Sequence, residues 1–147
     1  MPTVLKSVLV QHSAARMFAL VEDVERYPQF LPWCPSTTVF ERTPEVTRAR
    51  LDIDYHGLVS HISTLNRKRP DGMDLEFVDG PFERFHGHWR FQPLGEAGCR
   101  VEFALEYTFA SASMNRLLVP VFGKIIETLV DRFVAEADCV DAPGAGR

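Results

Sequence analysis

The sequence predicts an α+β fold in which a curved antiparallel sheet wraps around one long C-terminal helix, a helix-grip arrangement. Three observations lead there. Apolar residues recur with a helical period from Ser113 to Cys139. Between Thr37 and Phe109 the period changes to two, with short turn signals between segments, so neighbouring strands run antiparallel. Each clear strand has one apolar and one charged face, which describes a sheet covered on one side only, and the last helix is the only element long enough to cover it.

A chain of 147 residues suits one domain, expected over 1–140 with a disordered tail at 141–147. Hydrophobic content of 46% with 24% charged residues excludes a disordered or fibrous chain. The net charge of -4 argues against a nucleic-acid coat, and no DNA partner is expected. Cys34, Cys99 and Cys139 form no CxxC pair, which suits a reducing compartment. Lys6, Ser7, Gln11 and His12 break any signal-peptide pattern, and Pro120 interrupts an apolar run far shorter than a membrane span. The expected location is the cytoplasm.

Taken in order, Val4 to Val10 is the first strand, with Val4, Lys6, Val8 and Val10 on one face and Leu5 and Leu9 on the other. Ser13 then caps a short helix whose apolar stripe is Met17, Phe18, Leu20, Val21 and Val24. Pro28, Pro32 and Pro35 make the aromatic segment from Tyr27 to Pro35 irregular, without regular helix. Thr37–Arg42, Arg48–Tyr55, Leu58–Asn66, Met73–Val78, Phe85–Phe91 and Val101–Phe109 are strands. Thr43-Pro44-Glu45, His56-Gly57, Arg69-Pro70-Asp71-Gly72, Asp79-Gly80-Pro81 and the stretch Gly95 to Gly98 are the turns between them. The final helix, capped by Ser111 or Ser113, runs about 26 residues or roughly 39 Å, with a bend expected between Arg116 and Pro120.

A bowed sheet stands clear of a rod wherever large side chains do not fill the gap, and the residues facing that gap are rich in rings. Trp33, Tyr55, Phe77, Phe82, Phe85, Trp89, Phe91, Phe103 and Tyr107, with Leu118, Phe122 and Ile125 from the helix, are the candidate lining of an apolar ligand site. The same rings can equally pack into a solid core, and composition does not choose between the two. Tyr55, Tyr107 and Trp89 are candidate donors to a polar group on the ligand. The proline-rich segment is the expected entrance.

Other chemistry finds little footing. His86 and His88 share a strand face, but it is the charged one, and His61 would have to come from a neighbouring strand to build a metal site; none is expected. Asp52 and Asp54 lie on a solvated face, not in the unequal environments of an acid/base pair. Cys34 has no base beside it in sequence, and the scattered glycines form no phosphate loop. No catalytic residue is assigned. Arg67-Lys68-Arg69 is read as a basic loop able to grip phosphates.

Two motifs carry a family resemblance: Tyr27-Pro28-Gln29-Phe30-Leu31-Pro32-Trp33-Cys34, and Val78-Asp79-Gly80-Pro81-Phe82-Glu83-Arg84-Phe85-His86-Gly87-His88-Trp89-Arg90-Phe91 followed by Cys99-Arg100-Val101-Glu102-Phe103. Together they resemble the RatA / coenzyme Q-binding family of the START-like, polyketide-cyclase-like superfamily over roughly Thr3 to Cys139, closer to the bacterial branch. The resemblance implies a START-like / Bet v 1-like helix-grip fold. From its eukaryotic members it implies a non-enzymatic carrier of ubiquinone or a related polyprenyl lipid, supporting respiration, with that lipid as ligand and no other cofactor. It also implies transient contact with the inner membrane. From its bacterial branch it implies a different partner, the large ribosomal subunit, whose association a toxin of this type blocks; Arg67, Lys68 and Arg69 are the candidate contact. The superfamily's cyclases leave an enzymatic reading as a weaker third.

Overall fold

The computed structural model describes residues 3–141. In chain order they form β1 (Thr3–Val10), α1 (Ala14–Glu22), a 3-10 turn (Val24–Arg26), α2 (Tyr27–Phe30), β2 (Thr37–Arg42), β3 (Val46–Tyr55), β4 (Leu58–Arg69), β5 (Gly72–Asp79), β6 (Phe82–Pro93), β7 (Cys99–Phe109) and α3 (Ala112–Asp141). Asp141, the first residue of the expected tail, closes α3; 142–147 lie outside the described residues.

All the strands join one antiparallel sheet in the order β1-β7-β6-β5-β4-β3-β2. Sequence neighbours pair through short turns, and only β1 reaches across the chain, to β7. The β3–β4 hairpin turns on His56 and Gly57, both at positive φ, a backbone state glycine adopts without strain. Gly87 serves close approach instead: a Cβ there would stand 2.4 Å from the Ala104 carbonyl oxygen on β7.

Ser13 caps α1, its Oγ accepting from the Arg16 amide at 3.1 Å. At the start of α3, Ser111 Oγ accepts from the Met114 amide at 3.2 Å, so of the two candidate serines Ser111 is the cap. The proline-rich segment departs from expectation. Tyr27–Phe30 is one turn of helix, because Pro28 falls in its first turn, where an amide would have no intrahelical partner in any case. Tyr27, Leu31, Trp33 and Cys34 of this segment are buried and Phe30 is half-buried.

The core lies between the concave face of the sheet and the second half of α3. Phe133 is its hub, with Tyr27, Phe30 and Trp89 edge-on to it at centroid distances of 5.2, 5.2 and 5.3 Å. Leu117, expected on the covered stripe of α3, is instead 69% exposed.

Candidate functional site

Period-two alternation turns every second residue of a strand toward α3, and where those side chains stop short of the helix a cavity of about 90 Å³ remains. Leu51 and Ile53 of β3, Ile62, Thr64 and Asn66 of β4, and Leu75 of β5 form one side. Phe85 and Trp89 of β6 and Phe103 of β7 form the other, and Phe122, Ile125, Ile126, Leu129 and Phe133 of α3 roof it. Val21, Tyr27 and Trp33 complete the lining.

Trp33, Phe85, Trp89, Phe103, Phe122 and Ile125, all named from sequence, therefore line this space. The other candidates do not. Phe82 stacks on Phe109 at 4.6 Å and, with Tyr107 and Phe122, makes a solid ring cluster near the start of α3. The Tyr107 hydroxyl donates to the Val119 carbonyl oxygen at 3.4 Å. Phe91 packs on Phe18 and Trp89, while Phe77 sits half-buried against Phe82 and Phe85. Tyr55 turns its ring onto His56 at 4.3 Å, and Leu118 is half-buried outside the cavity. Ring content identified the inner face of the sheet but not where the helix stands off from it.

Sequence reasoning missed the aliphatic wall and, more consequentially, a polar stripe. On β4, Ile62, Thr64, Asn66 and Lys68 share the inner face, since their partners across the hairpin include Leu51, Ala49 and Thr47. Counting back from the His56-Gly57 turn would have found them. Thr64 Oγ1 donates to Asn66 Oδ1 at 2.8 Å. Farther along, Lys68 Nζ lies 3.1 Å from Glu22 Oε2, and Thr47 Oγ1 donates to Glu22 Oε1 at 2.5 Å. The Tyr27 hydroxyl donates to the Val21 carbonyl oxygen, and burial raises its pKa far above the ordinary phenol value.

The expected basic loop is strand. β4 continues to Arg69, and the chain turns only at Pro70-Asp71. Lys68 points inward to Glu22, Arg67 pairs with Glu76, and Arg69 Nε lies 2.8 Å from Asp74 Oδ2. Asp74 also meets Arg90 Nη2 at 2.6 Å, and that hydrogen bond, aided by Arg69, holds its carboxyl below the usual range. Each of the three cations thus has an acidic partner.

The remaining polar candidates belong to the outer face. β5 separates β4 from β6, so His61 is not on a strand next to His86 and His88. His61 Nε2 lies 3.0 Å from Asp79 Oδ2 and His88 Nε2 3.0 Å from Glu102 Oε2. No group of three or more His, Cys, Asp or Glu side chains placed to hold a metal forms among the described residues. Asp52 accepts from Ser36 Oγ at 2.5 Å and meets Arg50 at 2.9 Å, partners that lower its pKa, while Asp54 is exposed. Burial, with Asp52 nearby, pushes the Cys34 thiol up to about 12, which keeps it protonated and unreactive.

The family model described as polyketide cyclase / dehydrase and lipid transport matches residues 10–134. The chain is 36% identical to the ribosome association toxin RatA of Escherichia coli (strain K12), over 91% of this chain and 83% of that one. It is 27% identical to a mitochondrial coenzyme Q-binding protein, COQ10 homolog B, of Xenopus laevis, over 90% of this chain and 56% of that one. Among solved structures, the Zhui aromatase/cyclase from Streptomyces sp. R1128 superposes with a TM-score of 0.80 over 98% of both chains at 17% identity, a likeness of START-like fold alone.

Proposed function

Since the chain belongs to the polyketide cyclase / dehydrase and lipid transport family, in the branch of RatA and the coenzyme Q-binding proteins, we propose that it is a non-enzymatic carrier. Its ligand is an apolar molecule, ubiquinone or a related polyprenyl lipid, held between sheet and α3. The observation that carries this reading is the cavity itself, because protein interiors are otherwise filled to crystal density and apolar voids are costly. Of the lining residues only Tyr27 titrates, and its hydroxyl is committed to Val21, which favours holding a ligand over transforming it.

At about 90 Å³ the space is well below the ~300–1,000 Å³ of ordinary ligand sites, so it takes only the leading part of such a molecule. The rest requires α3 to lift. Its first turns, from Ala112 to Val121, contain no buried residue and are the part that costs least to move. Burying ten CH2 groups contributes on the order of 8 kcal/mol before association costs, enough for micromolar affinity. The proposed place of action is the cytoplasm with transient contact at the inner membrane; no helix among the described residues is long and apolar enough to cross one. Organic extraction of the purified protein followed by mass spectrometry should yield a co-purifying prenyl lipid, and repeated recovery of none would overturn the reading.

A second reading is favoured by 36% identity to RatA across 91% of the chain: association with the large ribosomal subunit. Arg67, Lys68 and Arg69 would contribute little unless their acidic partners gave way. Overexpression should then shift sucrose-gradient profiles toward free subunits, and substituting Arg67 and Arg69 by Gln should relieve the shift only in part. Unchanged profiles would remove this reading.

A further inference from the structure

Resting on the ligand-binding reading, a donor and acceptor count of the cavity wall narrows the chemistry of its guest. Asn66 is 9% exposed and lines the cavity. Its Oδ1 already accepts from Thr64, whereas its Nδ2, which is not fully buried, makes no hydrogen bond among the described residues. Trp33, 5% exposed and on the same wall, has a buried indole Nε1 with no partner. Both groups left unspent are N–H donors. An unfilled donor in an apolar interior is a larger liability than an unused lone pair, so the unmet demand is for an acceptor oxygen.

We propose that the cavity selects an apolar ligand carrying a carbonyl oxygen, which accepts from Asn66 Nδ2, with Thr64 as the positioning residue that holds the amide in that orientation. Thr64 and Asn66 stand two residues apart on one face of β4, and the Thr64 hydroxyl donates to Asn66 Oδ1 at 2.8 Å, an arrangement that spends the acceptor end of the amide and leaves the donor end to offer. Trp33 offers a second donor elsewhere on the wall. A hydrocarbon of the same shape would leave both donors unmet, so the site discriminates by oxygen as well as by area.

The test uses two probes of nearly equal shape: acetophenone, which carries a carbonyl, and isopropylbenzene, which does not. NMR titrations of the wild-type chain and of each variant give both Kd values, and the change in their ratio from wild type to variant cancels the difference in hydrophobicity between the two probes. Asn66→Leu should lower the preference for acetophenone over isopropylbenzene about 3- to 10-fold. Thr64→Val, nearly isosteric and safer for the fold, should lower it by about 2- to 3-fold. In the wild type, the Asn66 side-chain amide signals should move with acetophenone and not with isopropylbenzene, a shift that a merely structural asparagine would not show. If both probes bind and neither substitution changes the ratio, the carbonyl proposal fails and apolar binding stands. If neither probe binds the wild type, the cavity reading itself falls.

Discussion

From Phe122 to Ala137, α3 buries Phe122, Ile125, Ile126, Leu129, Val130, Phe133 and Ala137; from Ala112 to Val121 the same helix, with the same apolar recurrence, buries none. The second half is also tied down from the side. Lys6 Nζ meets Asp131 at 2.9 Å, Arg26 pairs with Glu136, and His12 Nε2 lies 2.6 Å from Asp138. The first half has the Asn115 amide bonded to Phe109 and Ser111, and a long contact from the Tyr107 hydroxyl. An amphipathic stripe states which face of a helix seeks cover, and it says nothing of how far along the axis cover is supplied. One half is therefore a structural roof and the other is suited to act as a flap.

The sharpest way to break this contrast is Phe133→Ala. It removes the ring that Tyr27, Phe30 and Trp89 abut, and urea unfolding should show a loss of about 3–5 kcal/mol. Next is Pro120→Ala in the flap. Proline inside a helix removes the hydrogen bond to the residue four before it, so the substitution should add about 1 kcal/mol and slow uptake of lipid in a stopped-flow assay. A loss of stability there would mean that the helix start is shaped around the proline. Glu136→Gln keeps the shape of the side chain but removes its ion pair with half-buried Arg26, and should cost about 1 kcal/mol. Smallest of all, Leu117→Ala should change unfolding free energy by less than about 0.5 kcal/mol, because little of that side chain leaves water on folding. A loss comparable to Phe133→Ala would show the flap to be packed like the roof.

Much of the fold was legible because alternation and helical recurrence are local consequences of backbone geometry. The strands expected at Thr37–Arg42 and Arg48–Tyr55 are β2 and the greater part of β3. The basic trio was misread because Pro70 looked like the centre of a loop, when β4 runs to Arg69 before turning. Five of the seven aromatic lining residues were legible, since rings on the inner parity of the strands face the helix. Thr64 and Asn66 were passed over because the apolar pattern of β4 fades there, and a polar residue on a strand defaults to the solvent face unless strand pairing is known.

Residue order alone dictated the elements, the antiparallel connections and the side of the sheet that is greasy, because each depends on neighbours a few positions apart. The position of the hollow, the closing of the proline segment over Phe133 and the leaving of two N–H groups without partners came only with the fold. Those features join residues far apart in the chain, and no periodicity encodes the distance at which a bowed sheet and the helix across it part company.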